Sequence, residues 1–342
     1  MIGVGIVGAG FWPRLAQLPA FTSIPGWNVV GIASGRRSSA ERLAADFGIP
    51  RVYDNYTQLI DDDHVQVVDI VTPNYLHREI AVRAFEAGKD VICIKPLAHT
   101  RADAEAIVNA AAAHGRRLFY AENVLFTPAL RAFKQLADAG TYGELFRTKS
   151  VNGVGVPHGE WFFDPALSGG GCIVDMAVHG LAFLDWFSDH AAVRTVSADA
   201  GTFLHTQHAV EDTSVIMLRF DDDRMGQTED SWATPGGFDL RYEAFGTAGH
   251  GFVDLLYGHP IRSIVDRNVQ GESNASRYHA VDPHHIKDGH RAMMQHFLEV
   301  LVDGVPLESG ALEGLRVMQL VEAAYASVRS GAPTRVDLVT DA

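Results

Sequence analysis

The fold is decided by the first stretch of the chain, IGVGIVGAGFWPRLAQLPAF, residues 2–21. Its first six residues are apolar or glycine and predict a buried strand. A glycine turn follows at residues 8–10, and residues 13–21 carry apolar side chains at helical spacing. Gly8 permits a sharp turn, and Gly10 lets a ligand approach the backbone at the start of the helix. The stretch therefore predicts the first strand, turn and helix of an α/β domain.

The same alternation continues through the first third of the chain. Further apolar strands are predicted at residues 28–33, 65–71, 90–94 and 117–123, with helices between them. One of these helices carries a predicted capping box, formed by Ser38 and Glu41. Strands that alternate with helices favour a doubly wound parallel sheet, the Rossmann arrangement, in which ligands bind at the carboxyl ends of the strands. We expect this domain to span residues 1–123.

The glycine turn and the end of the second strand indicate the cofactor. A turn of this kind cradles the pyrophosphate of a dinucleotide, although Pro13 stands where Gly or Ala is usual. An NAD site usually has an acidic residue after the second strand, but here the chain reads Ala-Ser-Gly-Arg-Arg, residues 33–37. Ser34, Arg36 and Arg37 suit the 2′-phosphate of NADP, which arginine grips bidentately. We therefore expect NADP, with NAD as the alternative; two solvated loop arginines would also explain the sequence.

Beyond residue 123 the pattern changes. A helix is predicted at 128–139, several short strands follow from residue 145 onward, and two helices close the chain at 290–302 and 312–328. Short polar turns between the strands favour a mostly antiparallel sheet. We expect residues 124–342 to form an α+β domain with a large open sheet.

One passage of the second half contains buried polar residues, GGGCIVDMAVH at residues 169–179. Asp175 and His179 are spaced to share one helix face, and their neighbours are apolar. The carboxylate could orient the imidazole as a general base, or the two could form a hydrogen-bonded core pair. With His158 and Glu160 they could also bind a metal, but no metal-binding motif is present and we expect none. No GxSxG motif supports a serine hydrolase.

Composition excludes several classes of partner. The formal net charge of −14 over 342 residues lacks the basic surface that nucleic acids and anionic membranes require. The two cysteines, Cys93 and Cys172, are not spaced as a redox or metal pair, which favours a reducing compartment. No secretory leader and no membrane-spanning apolar run are visible, so we expect a cytoplasmic protein.

Four motifs in order resemble the glucose–fructose oxidoreductase, inositol dehydrogenase and MocA (Gfo/Idh/MocA) family. They are the GxG turn, TPNYLH at residues 72–77, KP at 95–96 and the glycine-rich segment with Asp175 and His179. The resemblance extends over almost the whole chain, including FGTAGHG at 245–251. It implies a nicotinamide-dependent oxidoreductase that transfers a hydride between NAD(P) and a carbon of a sugar, polyol or sugar derivative.

The resemblance also implies roles for individual residues. Lys95 would stabilise the substrate oxygen, His179 would exchange its proton, and Asp175 would orient His179. The residues expected at the cofactor are Gly8, Gly10, Phe11, Trp12, Ser34, Arg36, Arg37, Thr72, Pro73, Asn74, His77, Lys95, Pro96 and Asn123. Those expected at the substrate are Lys95, Asn123, His158, Trp161, Asp175 and His179.

Two residues depart from the family pattern. Ile94 replaces a Glu beside the lysine, and Ala182 stands where many members carry an Asp. Some relatives are glycosidases that retain their cofactor and oxidise the sugar only transiently, and others are non-catalytic regulators that bind a cofactor. Both functions are alternatives to a dehydrogenase. By analogy with the family we expect a homodimer or homotetramer.

Overall fold

The computed structural model describes residues 1–234, 236–256, 261–265, 275–279 and 286–340. Two β-sheets organise them, one in each half of the chain. This arrangement confirms the predicted fold class, a Rossmann sheet followed by an α+β region. The division at residue 123/124 stays a prediction.

The first sheet has six strands, all parallel, in the order β3-β2-β1-β4-β5-β6. They are β1 (Ile2–Val7), β2 (Trp27–Ala33), β3 (Val52–Tyr53), β4 (Val67–Ile70), β5 (Asp90–Ile94) and β6 (Leu118–Ala121). Strands β4, β5 and β6 are buried along their whole length, as expected for a parallel sheet with helices on both faces. The chain order reverses beside β1, which places a crevice at the carboxyl ends of the central strands.

The helices of this half lie between the strands. They are α1 (Leu18–Ser23), α2 (Arg37–Phe47), α3 (Tyr56–Ile60), α4 (His77–Glu86) and α5 (Arg101–Ala113). The predicted capping box at Ser38 is wrong: α2 begins one residue earlier, and its N-terminus has no side-chain cap. The other end of α2 agrees with the sequence, because Gly48 adopts the left-handed conformation (φ 67°) that ends many helices.

The second sheet has nine strands in the order β14-β13-β12-β11-β7-β10-β9-β8-β15. Their bounds are β7 (Leu145–Gly153), β8 (Val193–Gly201), β9 (Thr213–Phe220), β10 (Met225–Ser231), β11 (Asp239–Gly246), β12 (Gly249–Asp254), β13 (Ile261–Val265), β14 (Ala275–His279) and β15 (Thr334–Arg335). Pairing is antiparallel except between β7 and β10. Burial alternates along β9, so that one sheet face covers helices and the other is exposed.

Helices cover the inner face of this sheet and connect it to the first. They are α6 (Pro128–Asp138), α7 (Pro165–Ser168), α8 (Cys172–Asp175), α9 (Ala177–Phe187), α10 (Ile286–Val302) and α11 (Ala311–Ser330). All of α9 except Trp186 is buried, which explains its apolar sequence. The chain before α11 binds the edge of the first sheet, where the amide of Tyr120 donates to the carbonyl of Ser309 (3.0 Å).

A helix that spans a bilayer needs about 20 consecutive, predominantly apolar residues. Within the described ranges no single helix combines the required length and apolar character, and the one helix pair that does so jointly, Pro165–Asp175 with Ala177–Phe187, is bent by 48°.

Candidate active site

A cleft of about 730 Å³ opens at the carboxyl ends of β1, β2, β4 and β5. This is the position at which a doubly wound sheet binds its ligands. The sequence-predicted residues that line it are Gly8, Gly10, Phe11, Trp12, Ser34, Arg36, Thr72, Pro73, Asn74, His77, Lys95, Pro96, His158, Trp161 and Asp175. Arg37, Asn123 and His179 are not part of this lining.

The glycine turn leaves room for a ligand at the backbone. Gly8 has φ 123°, and a β-carbon there would lie 2.3 Å from the carbonyl oxygen of Val71, so no side chain fits. At Gly10 the space beside the backbone is open, because no described atom comes within 4 Å of a β-carbon built there. The turn leads into a π-helical segment, Pro13–Gln17, ahead of α1. The open backbone at Gly10 therefore fits a pyrophosphate.

The two arginines after β2 differ in their surroundings. Arg37 forms ion pairs with Glu41 (2.9 Å) and with Asp54, and it is not part of the cleft lining. Arg36 lines the cleft, and its guanidinium has no partner among the described residues. Ser34 lies beside it, with its hydroxyl 3.4 Å from the Arg36 amide nitrogen. Only one of the two predicted arginines is thus available to a cofactor in the cleft.

The segment after β4 is held by buried polar contacts. His77 is fully buried, with Nε2 3.0 Å from the carbonyl oxygen of Thr72 and Nδ1 3.1 Å from that of Pro96. Burial lowers its pKa. Asn74 donates from Nδ2 to the carbonyl of Ser168 (2.8 Å), while its buried Oδ1 has no partner in the described part of the chain. His77 therefore ties together the two loops that follow β4 and β5, and Asn74 joins them to the second half of the chain.

Lys95 follows β5 and forms an ion pair deep in the cleft. Its Nζ donates to the Oδ1 of Asp175 and to the Asp175 carbonyl, both at 2.7 Å. The other carboxylate oxygen accepts from Nε1 of Trp232 (2.8 Å). Burial alone would raise the pKa of Asp175, but the Lys95 charge and these hydrogen bonds outweigh it and lower that pKa. Asp175 therefore stays ionised and holds the ammonium group in place.

His179 pairs with a different carboxylate. Its Nδ1 lies 2.6 Å from Oε1 of Glu122, which is fully buried at the end of β6. The prediction that Asp175 orients His179 is therefore wrong. The two residues do not share one continuous helix, because α8 ends at Asp175, α9 begins at Ala177 and the chain bends between them. Burial alone would raise the pKa of Glu122. The charges of His179 and Lys95 outweigh burial, so the pKa of Glu122 is lowered overall.

Three residues near this pair were missed from the sequence. Glu122 lies near the end of the strand predicted at 117–123 and could have been found from that position, and Trp232, directly after β10, is fully buried. His290, on α10, gives no signal, since only tertiary packing brings it to Trp12, where the rings stack at 5.7 Å. Packing of α10 against Asn123 is close: a β-carbon on Gly289 would lie 2.5 Å from the Asn123 carbonyl oxygen.

The arrangement can handle a substrate oxygen and its proton. Lys95 is a fixed cation, and His179 has its Nδ1 engaged, while no described residue bonds its Nε2. The charge of Lys95 also lowers the pKa of Glu122, so Lys95 lies within electrostatic reach of the partner of His179. Among the described residues, His, Cys, Asp and Glu nowhere form a group of three suited to a metal ion.

Two family models match the chain. Residues 2–122 match an oxidoreductase family with an NAD-binding Rossmann fold, and residues 130–250 match the GFO/IDH/MocA C-terminal domain. Together they cover most of the chain and agree with the two sheets described above.

Individual relatives are similar to different extents. Levoglucosan dehydrogenase of Pseudarthrobacter phenanthrenivorans is 32% identical over 192 residues, which cover 52% of this chain and about half (49%) of that relative. The 1,5-anhydro-D-fructose reductase of Ensifer adhaerens is 29% identical, with 79% of this chain and 81% of the relative covered. A solved levoglucosan dehydrogenase complex with NADH and L-sorbose has a TM-score of 0.90 at 22% identity, over 99% of both chains, and shows the same fold. The chain therefore belongs to the Gfo/Idh/MocA oxidoreductase family, and residues 2–122 match that family's NAD-binding Rossmann domain.

Proposed function

We propose that this protein is a dehydrogenase or reductase of a sugar, polyol or sugar derivative, with Lys95 and His179 at the reacting oxygen. The observation that carries the proposal is the pairing of each residue with its own buried carboxylate, Asp175 and Glu122, beside the cleft. A fixed cation and an oriented imidazole that meet at one oxygen would suit the removal of a proton from a hydroxyl group. The names of the relatives, a levoglucosan dehydrogenase and an anhydrofructose reductase, support a sugar as the substrate.

In the oxidising direction, Nε2 of His179 accepts the hydroxyl proton of the substrate. Lys95 donates a hydrogen bond to the same oxygen and stabilises the negative charge that develops on it. Glu122 accepts from Nδ1 of His179, which fixes the tautomer with Nε2 free and favours the imidazolium that forms. In the reducing direction His179 returns the proton. When bound, the dinucleotide supplies the hydride acceptor or donor at nicotinamide C4.

The residues that would hold the dinucleotide are those of the glycine turn, Thr72 to Asn74, and the end of β2. We propose NADP as the preferred cofactor, because Arg36 and Ser34 line the cleft there and no acidic residue follows β2 directly. A 2′-phosphate would pair with the guanidinium of Arg36. Asp54, the acidic residue nearest that end of the cleft, is paired with Arg37.

The test is a spectrophotometric panel of sugars, polyols and inositols with both cofactors. We expect one class of sugar to reduce NADP, and Lys95→Met to abolish that turnover while the protein still binds cofactor. Bound cofactor with no turnover of any sugar would contradict the proposal. In that case, cleavage of glycosides without net reduction would identify a glycosidase that retains its cofactor, and cofactor binding without either reaction would identify a regulator.

We also propose an oligomeric state and a cellular compartment for the protein. The exposed face of the second sheet carries Val215 and Met217, which are 40% and 49% exposed on β9. Such a face suits a homodimer or homotetramer, and the two free, buried cysteines suit a reducing compartment such as the cytoplasm. Light scattering of the purified protein tests the assembly directly.

A further inference from the structure

A continuous row of aromatic rings connects the ion pair of Lys95 to the mouth of the cleft. Trp232, which donates to Asp175, contacts Phe162 edge-on at 6.0 Å. Phe162 packs on His158 (4.9 Å), and His158 stacks on Phe11 (5.5 Å). The row therefore starts beside the proposed reacting centre and ends at solvent.

Phe11, at the end of this row, and Trp161, which packs on it, each keep part of their ring surface open. Phe11 is 48% exposed although it is a large apolar ring at the opening of the cleft. Trp161 stacks on Phe162 at 3.9 Å with one face and remains partly exposed in the cleft. Aromatic surface that is left open inside a binding site is the surface that flat apolar ligands occupy. A single sugar ring would cover only part of it.

The charged side chains along the cleft indicate what charge the substrate carries. Among the described residues that line it, the charged side chains are Arg36 and Asp54 near the end of β2, and Lys95 and Asp175 at the centre. Lys95 and Asp175 neutralise each other at 2.7 Å. No described cation along the aromatic row is available for a phosphate or carboxylate, and burying such a group without a partner is costly. The row of aromatic rings thus favours a neutral substrate.

We propose that the preferred substrate is an uncharged glycoside with a flat, apolar aglycone, and that the aglycone lies against Phe11 and Trp161. This inference rests on the proposed function and adds the substrate class to it. The sugar carbon that reacts would face Lys95 and His179, and the aglycone would extend along the row of rings toward solvent. One ring-on-ring contact contributes up to about tenfold in affinity.

The experiment compares three substrates on the enzyme with bound cofactor: methyl β-glucoside, phenyl β-glucoside and 4-carboxyphenyl β-glucoside, with the corresponding galactosides in parallel. We expect kcat/KM for the phenyl glycoside to exceed that for the methyl glycoside by about tenfold. The carboxyphenyl glycoside should fall below the phenyl glycoside by about a hundredfold, because the carboxylate on its aglycone would lie along the aromatic row without a cation. An equal kcat/KM for phenyl and methyl glycosides, or for carboxyphenyl and phenyl glycosides, overturns the inference.

Variants of the two rings test where the aglycone binds. Trp161→Leu and Phe11→Leu should each reduce the phenyl-to-methyl ratio severalfold, whereas Phe146→Leu, an equally exposed ring (49%) on β7 outside the cleft lining, should leave it unchanged. Far-UV circular dichroism and thermal unfolding identify any variant that has not folded. If neither Trp161→Leu nor Phe11→Leu changes the phenyl-to-methyl ratio, the aglycone does not lie against these two rings. Turnover of free sugars without an aryl preference overturns this inference alone, while no turnover of any sugar overturns the proposed function and this inference with it.

Discussion

The imidazole of His179 faces the carboxylate of Glu122, with Nδ1 2.6 Å from Oε1. Glu122 is completely buried, and its other oxygen, Oε2, has no partner among the described residues. A buried carboxylate at this distance fixes which ring nitrogen carries the proton and stabilises the protonated ring. The residue that orients His179 thus comes from the first sheet and not from the helix that precedes His179.

Glu122→Gln tests this relationship. The amide keeps the shape but loses the charge, so we expect kcat/KM at neutral pH to fall about a hundredfold, the size of a general acid–base contribution. Cofactor affinity should change little. Glu160→Gln, which removes an exposed carboxylate outside the cleft lining, serves as the control and should leave kcat/KM unchanged. Wild-type activity in Glu122→Gln would show that His179 does not depend on this carboxylate.

Lys95 and Asp175 form the second pair, and removing one partner should cost both activity and stability. Lys95→Met leaves the Asp175 carboxylate ionised and buried, a loss of about 3 kcal/mol in the free energy of unfolding. Adding Asp175→Asn should recover most of that stability, because no unpaired charge remains, but it should not restore turnover. Urea unfolding of the cofactor-free protein and steady-state kinetics measure the two effects. If the double variant is no more stable than Lys95→Met, the ion pair does not account for the loss.

Five of the six strands of the first sheet could be predicted from the sequence, because each is a short apolar run closed by a turn or a helix start, whereas the two-residue strand β3 was missed. Lys95 was found in the same way, since the end of a buried strand is where a parallel sheet presents side chains to a ligand. The residues that these side chains contact could not be predicted equally well. Spacing along the chain suggested Asp175 for His179, but the break at Met176 turns the two side chains to different neighbours. Contacts such as Trp12 with His290, 278 residues apart in sequence, depend on packing alone.

Arg36 and Arg37 form a matched pair for testing the cofactor. Arg36→Gln should raise KM for NADP at least tenfold and leave KM for NAD nearly unchanged, because only NADP carries the 2′-phosphate. Arg37→Gln should affect both cofactors alike, since Arg37 is already paired with Glu41 and Asp54. The measurement is the ratio of kcat/KM for the two cofactors. An Arg36→Gln variant that retains the wild-type ratio would remove the structural basis for an NADP preference.

His290 should make stability depend on pH. It is 4% exposed, its buried Nδ1 has no partner among the described residues, and burial lowers its pKa to about 4. As the pH falls below the ordinary histidine value of about 6.5, the unfolded chain takes up a proton that the folded protein refuses until about pH 4. Stability is therefore lost in this window, and at pH 5 the loss from this residue is about 2 kcal/mol.

His290→Gln measures that contribution, because glutamine does not titrate. Between pH 7.5 and pH 5 the free energy of unfolding of the wild type should fall by about 2 kcal/mol more than that of the variant. Using the difference between the two proteins cancels every other titrating group, including Asp230, whose pKa burial raises to about 7. An NMR titration of the His290 ring gives the folded-state pKa independently. Parallel pH curves for the two proteins would mean that His290 takes up its proton equally in the folded and unfolded states.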